Sequence, residues 1–237
     1  MKKSLILVPG LLGHGKYVEQ QVAYFKKQGF RVFVYRLSKN DISPLAIAQN
    51  LSLLIQEKKL NKAVLWGISF GGLAVMEAAI FYSHQVEAII LGSTACYFLP
   101  HRLQRPLKVL KPVFKNIPKE KIYKFACRRH EFPRVKQEIK KLTPEQLENF
   151  FETHYQRIIA SLEYYRKKNL HQISCPALIY SGKFDALVKP RKSRQLHRLI
   201  PNSELLLFDL EDHLPHDVEP DLINSYVQDF LGRLSFS

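Results

Sequence analysis

The chain has 237 residues, 46% of them hydrophobic and 24% charged, a composition that folds around its own core and excludes disordered and fibrous classes. The formal net charge is +15, so where it sits matters more than its total. Residues 101–141 hold 14 Lys and Arg against three Glu, a net +11, which concentrates most of the excess in one segment.

The first apolar run, Ser4 to Val8, stops at Pro9. It is too short for the apolar region of a secretory signal and reads as a strand. Tyr17 to Gln28 has helical spacing closed by Gly29, Phe30 to Tyr35 reads as a second strand, and Pro44 to Lys58 as a helix. The strand Ala63 to Trp66, a turn holding Ser69, the helix Gly72 to Tyr82 and the strand Val86 to Leu91 follow. Near-continuous apolar strands separated by helices predict a mostly parallel, doubly wound sheet in an α/β fold. From 96 to 170 the strands vanish and the chain reads as helices broken by prolines, with Thr143-Pro144-Glu145-Gln146 as one helix start. The strands Ala177 to Tyr180 and Glu204 to Phe208 then alternate with helices over Lys189 to Leu199 and Asp221 to Leu231. The expected organisation is a core of residues 1–95 and 171–237, with 96–170 inserted between strands as a helical cap. No apolar run approaches the roughly 18 residues of a membrane-spanning helix, so the chain reads as soluble. Cys96, Cys127 and Cys175 are widely spaced and lack any zinc-type cluster, which suits buried thiols in a reducing cytoplasm.

Chemistry centres on Gly67-Ile68-Ser69-Phe70-Gly71. A serine hydroxyl is a poor nucleophile at neutral pH and needs a base within hydrogen-bond reach and a group that orients the base. By itself the pattern fits a plain turn as well as a nucleophile elbow; the strand before it and the helix after it favour the elbow. Pro9-Gly10-Leu11-Leu12-Gly13 follows the first strand and can aim a backbone N–H at a developing oxyanion, so Leu11 and Phe70 are the expected donors. Asp185, in Ser181-Gly182-Lys183-Phe184-Asp185, follows a parallel strand at the edge where ligands bind, and is the expected orienting acid. His213, after the last strand, is the expected base, and His216 the competing histidine. Asp209 and Asp212 are alternative acids, both too near His213 in sequence to support its ring easily from the far side.

Together the elbow "GISFGG", the loop "VPGLLG", "SGKFDALV" and "DHLPHDVEP" resemble the α/β-hydrolase superfamily over nearly the whole chain. "FDALVKPRK", "HLPHDVEP" and "GSTACYF" are most similar to its carboxylesterase branch, which includes the pimeloyl-[acyl-carrier protein] methyl ester esterases. The resemblance implies a Ser69, Asp185, His213 triad with Leu11 and Phe70 as oxyanion donors, an acyl-enzyme and no cofactor or metal. It also implies, more specifically, hydrolysis of a methyl ester on a carrier-bound acyl chain in biotin precursor synthesis. An acyl thioesterase or a monoacylglycerol-type lipase would use the same triad with a different pocket. A binding protein that keeps the fold without turnover is the alternative outside enzymes.

The basic segment would place a positive field over the mouth of such a site. An acidic acyl carrier protein suits that field, with Lys124, Arg128, Arg129 and Arg134 as carrier contacts and Tyr97 and Phe98 as apolar substrate contacts. A solvated, lysine-rich face is the plain alternative, and an anionic membrane surface a third. No nucleic-acid recognition motif accompanies the charge.

Overall fold

The computed structural model describes residues 3–11, 15–100, 102–103, 117–126 and 140–234. Among the described residues six strands, β1 (Ser4–Val8), β2 (Arg31–Val34), β3 (Ala63–Ile68), β4 (Val86–Gly92), β5 (Ala177–Gly182) and β6 (Ser203–Phe208), form one sheet in the order β2-β1-β3-β4-β5-β6. Every pairing is parallel. Parallel neighbours need crossover helices, and those helices cover both faces, which is why β1, β3 and β5 are buried along their whole length.

Alternation along the strands divides the core. Leu5, Leu7, Val64, Trp66, Ile90, Leu178 and Tyr180 point to one face, where they meet Phe25 of α1 (Glu19–Lys27) and Ile223, Val227 and Phe230 of α8 (Pro220–Gly232). The intervening residues, among them Ile6, Leu65, Ile89 and Ile179, are equally buried on the opposite face. Helix α2 (Pro44–Glu57) starts where Ser43 accepts the Ala46 N–H (3.2 Å) and Pro44 occupies the first turn, and it packs against α3 (Phe70–Phe81). Helix α3 is buried from Phe70 through Ala79, so its sequence is apolar all round rather than striped.

The residues divide into two compact units, one of residues 1–96 and 166–237, the other of residues 97–165. In the second unit, α4 (Lys119–Ala126) and α5 (Pro144–Glu163) pack through Tyr123, whose ring meets Phe150, Phe151 and His154. Thr143 and Gln146 close a reciprocal capping box at the start of α5. In the first unit, the Arg166 N–H donates to the Cys96 carbonyl (2.9 Å), which ties together the points where the chain departs and returns. Arg166 also donates from Nε (2.6 Å) and Nη2 (3.0 Å) to both carboxylate oxygens of the buried Glu77 on α3. Among the described residues the remaining α-helices are α6 (Arg191–Leu199) and the short α7 (Pro215–Val218).

Candidate active site

Strand order reverses between β1 and β3, because β1 is followed by β2 on one side and by β3 on the other. At such a switch point the loops leaving the C-terminal strand ends diverge and open a crevice. Ser69 follows β3 there. The sequence reading spread the turn over several residues, but β3 runs to Ile68 and α3 begins at Phe70, so Ser69 alone makes it. Its φ of 51° with ψ of −115° is a strained conformation for a residue with a Cβ, at a cost of about 1–3 kcal/mol. Surrounding contacts hold it. The Ser69 N–H donates to the Gly92 carbonyl (2.8 Å), and the Ser69 carbonyl accepts from Thr94 Oγ1 (2.7 Å) and the Gly72 N–H (3.0 Å). A Cβ on Gly67 would stand 2.6 Å from the Gly72 Cα, and one on Gly71 would run into the carbonyls of Val8 and Pro9. Only glycines let β1, β3 and α3 approach this closely.

The same closeness brings the β1 loop to the serine. A Cβ on Gly10 would lie 3.5 Å from the Ser69 Cβ, and Leu11 is the next residue. Phe70 is the first residue of α3, where backbone N–H groups have no partner within the helix and the dipole favours negative charge.

Asp185 and His213 come from the loops after β5 and β6, at the same sheet edge as Ser69. Asp185 is 2% exposed; its Oδ1 accepts the N–H groups of Leu187 (2.8 Å) and Val188 (2.9 Å), and its Oδ2 lies 2.8 Å from His213 Nδ1. A carboxylate only accepts, so the ring proton sits on Nδ1 and Nε2 is the basic nitrogen. The two loops are laced together. Lys183 N–H donates to the Phe208 carbonyl (2.7 Å) and Phe184 N–H to that of Leu210 (3.1 Å). Gly182 lets the second loop cross: a Cβ there would stand 2.6 Å from the Leu210 oxygen and 2.8 Å from that of Asp212. The alternative acids are engaged elsewhere, Asp212 accepting the Leu214 N–H (2.8 Å) and Asp209 pairing with Lys183 (3.5 Å).

His216, the competing histidine, lies in the core. It is 1% exposed, and burial first, then the neighbouring His213, push its pKa down to about 3. Trp66 Nε1–H donates to the Tyr180 hydroxyl (3.1 Å), which in turn lies 3.3 Å from His216 Nδ1. The His216 carbonyl accepts from Gln21 Nε2 (2.7 Å). The hydroxyl oxygen already accepts from Trp66, which leaves its own hydrogen for Nδ1 of the His216 ring, neutral near pH 7. The chain Trp66, Tyr180, His216 and Gln21 thereby links β3, β5, α7 and α1 behind the His213 loop. Gly92 makes room for it, since a Cβ there would enter the Tyr180 ring. Sequence reasoning missed this network; the alternation that puts Trp66 and Tyr180 on one sheet face was its one signal.

Tyr97 and Phe98 are half-buried in the second unit, with Tyr97 stacked on Tyr165 at 5.3 Å. Arg128, Arg129, Arg134 and Cys127, and the side chain of Lys124, lie outside the described residues. Burial raises the Cys96 thiol to about 11 and Cys175 to about 12, so neither is a thiolate nucleophile near neutral pH. Among the described residues there is no cluster of three His, Cys, Asp or Glu able to hold a metal ion, and no helix long and apolar enough to cross a membrane.

A family profile described as serine aminopeptidase, S33 (Hydrolase_4) matches residues 46–221, a span that takes in Ser69, Asp185 and His213. The chain belongs to that hydrolase family. This hydrolase is 26% identical to the pimeloyl-[acyl-carrier protein] methyl ester esterase of Vibrio cholerae, with 98% of its own chain and 95% of that protein covered. Among solved structures it resembles a bromoperoxidase from Bacillus anthracis (TM-score 0.77, 18% identity, 98% and 92% of the two chains covered). It resembles as well the enol-lactonase from Burkholderia xenovorans (TM-score 0.75, 21% identity, 98% and 92% covered). The α/β-hydrolase resemblance read in the sequence is borne out, and the expectation of a hydrolase acting on esters stands with it.

Proposed function

We propose that this hydrolase cleaves a carboxylic ester with Ser69 as nucleophile, His213 as base and Asp185 as orienting acid. The observation that carries the reading is the buried 2.8 Å contact between His213 Nδ1 and Asp185 Oδ2, at the sheet edge where Ser69 occupies a strained one-residue turn. In this mechanism His213 Nε2 takes the Ser69 proton as Oγ attacks the ester carbonyl. The N–H groups of Leu11 and Phe70 receive the oxyanion. The tetrahedral intermediate collapses, the alcohol leaves with the proton from His213, and water activated by the same histidine releases the acid from the acyl-enzyme.

The finer reading is a methyl ester at the end of an acyl chain borne by an acidic acyl carrier protein. It is supported by the name of the Vibrio cholerae relative, by coverage of nearly both chains, and by the net +11 over residues 101–141. Residues 96–170 then serve as a lid, with Lys124, Arg128, Arg129 and Arg134 as carrier contacts and Tyr97 and Phe98 as acyl contacts. A cytoplasmic location and a place in biotin precursor synthesis go with this reading.

The test is a panel of p-nitrophenyl esters, acyl thioesters, a monoacylglycerol and a carrier-bound methyl ester, each with wild type and Ser69→Ala. The expected result is the highest kcat/KM on the carrier-bound methyl ester, with kcat reduced by about 10⁴-fold or more in Ser69→Ala. Faster thioester cleavage would overturn the substrate; unchanged rates in Ser69→Ala would overturn the site.

A further inference from the structure

The basic segment at 101–141 is not the whole of the positive surface. Residues 183–198 hold six Lys and Arg against one acid, and that acid is the buried Asp185. Helix α6 begins six residues after Asp185, at the C-terminal edge of the sheet, and buries Ser193 and Leu196 against the core. On its other side Arg191, Arg194 and Arg198 are all exposed. Their spacing of i, i+3 and i+7 puts them on one line along the helix, spanning about 10 Å. Among the described residues none of the three, nor Lys189, has an ion-pair partner. The first turn of α6 holds no acidic residue, and its positive charges stand at the helix end where the dipole disfavours them. At that same end, in the loop that carries Asp185, Phe184 is 60% and Leu187 51% exposed.

Guanidinium groups in a row fit carboxylates in a row. Arginine binds a carboxylate through two parallel N–H donors, and three at helical spacing match Asp and Glu repeated at helical spacing on a facing helix. A line along one helix, with apolar side chains at one end only, fits a helical partner better than a flat anionic surface, which would call for charge spread over a broad face. Resting on the carrier-ester reading above, we infer that the exposed α6 face of Arg191, Arg194 and Arg198, with Phe184 and Leu187 at its site-proximal end, docks an acidic helix of the acyl carrier protein. A carrier seated there would start its acyl-bearing arm at the sheet edge that holds Ser69, Asp185 and His213.

The experiment compares wild type with Arg191→Glu/Arg194→Glu/Arg198→Glu and with the corresponding triple Lys variant. Four readouts are taken at low and at physiological salt: kcat/KM on a carrier-bound methyl ester, kcat/KM on a free p-nitrophenyl ester, direct binding of the carrier protein without its acyl chain, and binding to phosphatidylglycerol vesicles. Charge reversal is expected to weaken carrier binding and carrier-ester kcat/KM by about tenfold or more at low salt, with the difference shrinking as salt rises. Free-ester turnover is expected to stay within about twofold, and the Lys variant, which keeps the charge but loses the two-pronged donors, to bind the carrier between wild type and the Glu variant. Unchanged carrier binding in the Glu variant overturns the docking surface, and so does an equal loss on both esters. Loss of binding to phosphatidylglycerol vesicles with carrier binding intact overturns it in favour of a membrane surface. A wild type that binds the carrier through these arginines yet leaves the carrier ester uncleaved overturns the substrate reading and leaves the surface standing.

Discussion

Acid is expected to destabilise this fold through His216, and the amount follows from its surroundings. The ring is 1% exposed and accepts the Tyr180 hydroxyl at 3.3 Å; burial, with His213 beside it, lowers its pKa from 6.5 to about 3. The folded chain therefore leaves His216 neutral where the unfolded chain protonates it. The contribution is fully present above 6.5, falls as pH drops below that value, and levels off near 3. Each pH unit inside the window corresponds to about 1.4 kcal/mol, so bringing the protein from about pH 7.5 to about pH 4.5 removes about 2.7 kcal/mol through this one ring. The variant that isolates the term is His216→Asn, whose side-chain carbonyl stands near the place of Nδ1 and accepts from Tyr180 without titrating. Losing the ring also lowers stability by a pH-independent amount, about 1–2 kcal/mol, which cancels when slopes are compared. Urea unfolding across the pH series, followed by the fluorescence of Trp66, the single and fully buried tryptophan, measures both proteins. Wild type should lose about 2.7 kcal/mol more than His216→Asn between the two ends. Equal losses would refute the reasoning and show that His216 is not held neutral by the core.

Three further outcomes are expected. Asp185→Asn keeps an oxygen for the Leu187 and Val188 N–H groups but turns an amide toward His213 Nδ1; kcat on a p-nitrophenyl ester should drop by about 10⁴-fold with little change in urea midpoint, and a drop below about tenfold would remove Asp185 from the triad. Arg166→Ala strips the buried Glu77 of its two-pronged partner and should cost about 2–3 kcal/mol in denaturant unfolding, at the lower end because the guanidinium is partly exposed; adding Glu77→Leu should restore most of the loss, and no recovery would contradict the account. Gly182→Ala forces a methyl against the Leu210 and Asp212 carbonyls, which should destabilise by about 1–3 kcal/mol and lower kcat as the His213 loop retreats from Asp185; an unchanged kcat would show that the crossing does not set that spacing.

Much of the core was legible because its signals are short-range. Apolar runs such as Ser4 to Val8 and Val86 to Leu91 became strands β1 and β4, and the start at Thr143-Pro144 became a capped helix. Boundaries shifted where packing overrode the local pattern. Strand β3 continued through Gly67 to Ile68, and α3 began at Phe70, because glycines there allow a closer approach than periodicity can express. The final helix was preceded by the separate short helix α7, which a loop-like sequence did not announce.

The division at the site has the same cause. By itself the amino-acid sequence determined the order of the chemistry-bearing loops, the small residues around Ser69 and the identity of the family, since each depends on neighbours within one turn or strand. Tertiary structure decided that Asp185, and neither Asp209 nor Asp212, faces His213 Nδ1, and that His216 belongs to the core with Trp66 and Tyr180. It also set Glu77 on Arg166. Those pairings join residues 28 to 114 positions apart in the chain, and a hydrogen bond is chosen by the distance and burial that the folded sheet imposes, not by separation along the sequence.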